Sequence, residues 1–190
     1  MRDRIRDILS RYEPADIEPD ASLWPAAVLV LLYQHEERLH IVFQKRTDKV
    51  DAHKGQISFP GGGHDEEDPD LVRTALRETH EEIGVHPDDI EVLGRLDQMK
   101  TISGFAVTPY VGWLHRYPYE WVFSEHEVAY LLEVPLDHLL DPENYVPDRR
   151  QFNGGWATLP SYRFEDDLIW GATARMLQNF LDLYTTLLTV

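Results

Sequence analysis

Three carboxylates in the segment Arg77-Glu78-Thr79-His80-Glu81-Glu82-Ile83-Gly84 stand at i, i+3 and i+4. At roughly 100° per residue, that spacing puts Glu78, Glu81 and Glu82 on one face of a helix. Like charges so placed repel one another by about 0.2–0.5 kcal/mol per pair and call for a compensating cation. Hard oxygen donors of this kind suit Mg²⁺ or Mn²⁺. For an isolated acidic run, a solvated helix face would be the simpler reading. Here, however, Pro60-Gly61-Gly62-Gly63 precedes the helix. Proline fixes one φ and glycine opens conformations closed to other residues, so the loop can bring its backbone close to a metal or a phosphate. Arg77 lies one turn before Glu81, placed to orient that carboxylate, and an ordinary i,i+4 ion pair is compatible with the same job.

Positioning such a helix takes a scaffold, and the rest of the chain supplies one. The periodicity predicts a helix over 70–83, with Leu71, Ala75 and Leu76 inward and Gly84 where a left-handed residue ends it. A buried strand is expected at 26–33 and its neighbour at 39–43, joined by a turn at 34–38. Residues 48–70, rich in Gly, Pro, Asp and His, read as loop. Strands follow at 90–96 and 107–114, then a loop at 118–125. The stretch 128–134 fits strand or helix, Pro135 starts a short helix, and 148–160 forms a hairpin or loop. Residues 2–12 form an amphipathic helix through Ile5, Ile8, Leu9 and Tyr12. The last helix spans 172–188 with Met176, Phe180, Leu183 and Leu187 on one stripe, and Trp170 and Arg175 are expected to anchor it to the sheet. Mixed strands and helices without repeats or linkers give one α/β layered domain over 1–190, with 1–20 as a helical N-terminal extension.

Composition narrows the chemistry. The 190 residues carry a formal net charge of -16, which opposes binding to nucleic acid or an anionic membrane. An enzyme with this surface needs bound cations or a local basic patch to hold a phosphate. The chain has no cysteine, which excludes disulfides, thiolate catalysis and Cys-based zinc sites and fits a cytoplasmic setting. The charged N-terminal stretch lacks the apolar core of a secretory leader, and no stretch is apolar and long enough to span a membrane. Nine histidines are scattered without metal-ligand spacing; His53, His64 and His80 flank the acidic segment without an assigned role.

The segment from Phe59 to Val85 resembles the Nudix box, G-x5-E-x7-R-E-U-x-E-E-x-G-U, where U is aliphatic. Residues 77–85 agree at every fixed position, and Thr79 departs from the aliphatic preference while keeping β-branching. The box glutamate falls on Pro69 counting back from Arg77 and on Asp68 counting forward from Gly62. A one-residue insertion reconciles the two, with Asp68 as a shorter stand-in that braces the loop. The resemblance implies an α/β/α sandwich with a mixed sheet, and hydrolysis of a phosphoanhydride bond. It implies Glu78 and Glu82 as main ligands of Mg²⁺ or Mn²⁺, Glu81 joining them, and a glycine carbonyl near Gly62 completing the shell. Water would attack phosphorus in line, with a carboxylate accepting its proton; Glu78, Glu81 and, from the later Ser124-Glu125-His126-Glu127 stretch, Glu127 are the candidates.

The preceding segment is similar to the motif of the coenzyme A pyrophosphatase branch, L-L-T-x-R-[SA]-x3-R-x3-G-x3-F-P-G-G. Arg46, Gly55 and Phe59 to Gly62 agree; Gln44 replaces Thr, Thr47 replaces Ser or Ala, and Asp51 stands where a second Arg is expected. Later stretches at 127–136 and 170–175 also look like that branch. This implies cleavage of coenzyme A into a phosphopantetheine and adenosine 3′,5′-bisphosphate, with Arg46, Lys54, Gly61 and Gly62 contacting the substrate. Its partner is then a small nucleotide, and a homodimer is compatible with the pattern. Asp51 favours another nucleoside diphosphate derivative such as ADP-ribose or NADH. A non-catalytic nucleotide-binding module is the third reading, and three retained carboxylates argue against it.

Overall fold

A computed structural model describes residues 1–48, 54–152 and 155–188, and the side chains of residues 150, 152 and 187 lie outside the described part. Asp51 and His53 therefore fall outside the described residues, as does the Leu187 side chain of the last helical stripe. In chain order the elements are helix α1 (Arg2–Arg11), strands β1 (Trp24–His35), β2 (Arg38–Arg46), β3 (Ile57–Ser58) and β4 (Gly61–Gly63), and helix α2 (Leu71–Ile83). Strands β5 (Ile90–Arg95), β6 (Met99–Lys100), β7 (Phe105–Leu114) and β8 (Val128–Pro135) lead to helix α3 (Leu136–Leu140). Two hairpins, β9 (Asp148–Phe152) with β10 (Gly155–Leu159) and β11 (Tyr162–Phe164) with β12 (Asp167–Ile169), precede helix α4 (Gly171–Leu188).

Strands β1 to β8 form one mixed sheet built on the path β3-β2-β1-β7-β5, with β4 on β1, β6 on β7 and β8 on β2. Among the described residues of this sheet, only β1 and β7 pair in parallel; the other pairings are antiparallel. The β1–β2 hairpin turns on Glu36 and Glu37, both at positive φ, the conformation whose twist matches a two-residue hairpin.

Alternation along β1 buries both faces of the sheet. Ala27, Leu29, Leu31 and Tyr33 face α2, where Ala75, Leu76 and Ile83 complete the layer. Ala26, Val30 and Leu32 face the other way, toward Ile5 and Leu9 of α1 and Ala174, Leu177, Phe180 and Leu181 of α4. The result is the expected three-layer α/β/α sandwich. The N-terminal helix is part of that packing: a side chain at Gly94 of β5 would fall 2.8 Å from the Leu9 Cβ, so the glycine lets α1 sit against the sheet.

Three expectations need correction, and one open choice is resolved. The stretch 48–70 is not all loop, because it holds β3 and β4. The β1–β2 pairing stops at Leu31↔Val42, and the two strands splay. Into the gap, β3 pairs with β2 at Gln44 and Lys45, and β4 pairs with β1 at Ala26 to Val28. Pro60 crosses between them, its carbonyl accepting from the Leu29 amide at 2.8 Å. Strand β6 and the β11–β12 hairpin also arise where no strand was expected; each is only two or three residues long, too short for periodicity to show. The open choice at 128–134 resolves as strand. Finally, Arg175 is exposed and does not anchor α4; the helix is held by its apolar face, with Leu177 and Phe180 fully buried. Among the described residues, no helix is long and apolar enough to cross a membrane.

Candidate active site

Helix α2 is fixed at both ends. Asp70 caps its N-terminus by accepting from the Arg73 amide at 2.8 Å. Gly84 ends it in the left-handed conformation at φ +75, and a Cβ there would meet the Val122 carbonyl oxygen at 2.5 Å. The departure at Thr79 has a local reason. Its buried hydroxyl donates to the Ala75 carbonyl at 2.7 Å, so a polar β-branched residue is tolerated on the packed face.

The glycine strand and the helix then meet. The Gly61 amide donates to Glu82 Oε2 at 2.8 Å, and Arg46 Nη1, from the end of β2, reaches Glu82 Oε1 at 3.3 Å. A Cβ at Gly62 would sit 2.5–2.8 Å from the Glu78 carboxylate, so any larger residue would push that carboxylate aside. Gly62 is not at positive φ; the strained backbone is at Gly61, at φ +145, where a Cβ would strike the Ala27 carbonyl oxygen at 2.3 Å. The two glycines thus differ, Gly61 serving the strand and Gly62 the approach to Glu78.

Arg77 does more than orient Glu81. Its Nη1 donates to Glu78 Oε1 at 2.8 Å and to Glu81 Oε2 at 3.1 Å. Its Nε and Nη2 form a fork on Asp68 at 3.0 and 2.8 Å, and Nη2 also reaches the Gly63 carbonyl at 3.2 Å. Asp68 further accepts from Thr74 Oγ1 at 2.9 Å and is held well below the usual carboxylate range, chiefly by Arg77. The aspartate therefore braces the loop from the position a longer glutamate was expected to fill.

The electrostatics differ along the helix face. Glu82 is 2% exposed, and burial pushes its carboxyl up to about 7 against the opposing pull of the Gly61 amide and Arg46. Glu78 is also pushed up by burial, partly offset by Arg77, with Glu81 and Glu127 adding repulsion. Glu81 is the most open of the three, its side chain 56% exposed. Glu127 comes to the same place because its turn is tied at both sides. The Ser124 amide donates to the Glu82 carbonyl and the Thr47 amide to the Glu127 carbonyl, each at 2.9 Å.

Arg46, Gly61, Gly62, Glu78, Glu81, Glu82 and Glu127 are thus assembled around one end of α2. Lys54 is exposed in the turn before β3. Sequence reasoning noted Gln44 only as a departure and passed over Ser58, both of which lie beside this cluster. Among the described residues, no three acidic or histidine side chains are gathered in ligating geometry; Arg77 and Arg46 hold the α2 carboxylates. The donor set nevertheless suits a hard divalent ion: two desolvated carboxylates face a strand kept bare by Gly62.

Comparison with known proteins agrees with this arrangement. Residues 23–178 match the NUDIX domain family. A protein named uncharacterized Nudix hydrolase NudL from Pectobacterium atrosepticum is 31% identical over 185 residues, covering 92% of each chain. Its namesake from Enterobacter sp. strain 638 is 33% identical over 174 residues, covering 92% of this chain and 83% of that one. Among solved structures, a MutT/nudix family protein from Enterococcus faecalis superimposes with a TM-score of 0.59 at 14% identity, over 93% of this chain and 66% of that one. RenU, a Nudix hydrolase from M. smegmatis, gives 0.54 at 17% identity, over 88% and 89%. At such identities the structural likeness speaks to fold alone, but the sequence matches span the box, the glycine strand and both sheet faces: the chain belongs to the Nudix family of hydrolases.

Proposed function

We propose that this hydrolase cleaves the diphosphate of coenzyme A or its thioesters, releasing a phosphopantetheine and adenosine 3′,5′-bisphosphate. The observation that supports it most is the placement of the segment from Lys54 to Gly62. The stretch similar to the coenzyme A branch motif fills the splayed β1–β2 hairpin and delivers Gly61 and Gly62 to the carboxylates of α2. Arg46 reaches the same cluster from β2.

In this reading Glu78 and Glu82 hold Mg²⁺ or Mn²⁺, with Glu81 joining them. When bound, such an ion supplies positive charge to the diphosphate oxygens and lowers the pKa of water. The chain's own residues do the rest. Gly61 and Gly62 keep the strand low enough for a diphosphate to approach. Arg46 and Lys54 offer cations to substrate phosphates on a molecule whose net charge is -16. Water attacks one phosphorus, the bond to the bridging oxygen breaks, and a carboxylate accepts the water proton; Glu127 is the candidate beside Glu78.

Asp51 favours a second reading, in which the substrate is ADP-ribose or NADH, because it places a negative charge where the branch motif carries arginine. A panel of coenzyme A, dephospho-coenzyme A, ADP-ribose and NADH with products identified by mass separates the two. Coenzyme A should give the highest kcat/KM. A tenfold preference for ADP-ribose or NADH, about 1.4 kcal/mol in transition-state binding, overturns the coenzyme A reading and leaves the hydrolase intact.

A further inference from the structure

Four buried polar atoms that meet no hydrogen-bond partner among the described residues sit together: Gln44 Oε1 and Nε2, Ser58 Oγ and Arg46 Nε. Gln44 and Arg46 are two apart on β2, and Ser58 of β3 lies directly opposite Gln44 in the register. Gln44 is fully buried, at 0% exposure. Two of its neighbours on that face, Val42 and Leu131, are apolar and packed into the α2 layer. The Gln44 carboxamide approaches Glu82 closely enough to favour the charged carboxylate, while completing no hydrogen bond in this geometry.

A buried amide without a partner is costly, and an apolar residue of similar size would pack there without that cost. The sequence keeps the amide, at the position where the related motif carries threonine, and it keeps a hydroxyl across the strand from it. The amide lies near the carboxylate that Gly61 and Arg46 already hold from two sides, two residues before Arg46 on the same strand. We infer that Gln44 is a positioning residue: its carboxamide is a third polar group beside the Glu82 carboxylate and sets the direction of that carboxylate. Residues that hold a metal ligand from behind govern affinity and rate without touching substrate.

This rests on the reading of Glu82 as a ligand, and the test separates the two. Gln44→Leu removes the amide and keeps the volume; Gln44→Met, unbranched and of similar length, serves if leucine does not fold. Mn²⁺ affinity is measured by titration of the purified protein, alongside melting temperature and the kcat and KM of whichever panel substrate the wild type turns over. The expected result is an unchanged or higher melting temperature, Mn²⁺ binding and kcat each weakened about tenfold or more, and KM within about twofold. Mn²⁺ affinity and kcat within about twofold of wild type in a folded variant would show a mere core filler and overturn the inference. Glu82→Gln is the control. If it leaves Mn²⁺ affinity unchanged, the ligand reading and the positioning role fall together; if it abolishes binding while Gln44→Leu does not, only the positioning role falls.

Discussion

The two faces of one sheet solve different problems. On the α1–α4 face, Val30, Leu32, Phe43, Leu177 and Phe180 form a buried apolar layer. On the α2 face, a few residues along the same strands, a buried glutamate, a glycine strand and two arginines share the space. The first face stores stability. The second gives some of it up, since Glu82 and Gln44 sit in surroundings that an apolar side chain would fill at less cost. Mutations on the two faces should therefore divide into losses of rate and losses of stability.

The largest effect is expected at Glu82. Glu82→Gln keeps the shape and removes the charge, so turnover at saturating Mg²⁺ or Mn²⁺ should fall well below a tenth of wild type while the melting temperature holds or rises. Retention of more than about a tenth of the rate, equivalent to about 1.4 kcal/mol of barrier, would break the division. Gly62→Val comes next. Its backbone conformation is open to other residues, so the chain should fold, but the side chain would displace the Glu78 carboxylate. Rate should drop more than stability, and a fully active variant would reduce the glycine to a strand filler.

Across the sheet the signs reverse. Leu177→Ala empties a fully buried site on α4 and should cost about 2–5 kcal/mol of unfolding free energy, read by denaturant titration, with kcat nearly unchanged under conditions where the protein is folded. A rate loss larger than the stability loss would couple the two faces.

The smallest effect is a pH dependence. Glu82 titrates near 7 in the folded chain against 4.5 for the free group, so the fold binds its proton more tightly than the unfolded chain does. That contribution is fully present below about pH 4.5 and is lost as pH rises through about 7, at most on the order of 3 kcal/mol. Asp68 runs the other way: its depressed carboxyl contributes stability above its ordinary range that is lost as pH falls. In chelator-treated protein, Glu82→Gln should flatten the decline in melting temperature between about pH 5 and 8. An identical slope in wild type and variant would remove Glu82 as its source.

The division was only half visible in the chain itself. The helix and its three glutamates could be read because 3.6-residue spacing and the Gly84 stop leave a pattern, and the apolar runs of β1 and α4 mark the layers they fill. Asp68 was readable as a brace because the box spacing forced a substitute for its glutamate. Strand β4 was not readable, because three glycines carry no alternation and the strand exists only through its pairing with β1. Arg175 looked like an anchor by position alone and proved exposed, since nothing in helical spacing tells which side of a helix rim faces solvent. The distinct duties of Gly61 and Gly62 depend on what lies across from each, which spacing alone does not contain.

Metal dependence tests the central claim most directly. Protein stripped with a chelator and assayed on its best panel substrate should lose turnover to the background rate while keeping its melting transition, and added Mg²⁺ or Mn²⁺ should restore the rate in wild type but not in Glu82→Gln. Turnover that survives chelation, or that the metal restores equally in Glu82→Gln, would contradict the assignment of the α2 carboxylates as the hydrolytic centre.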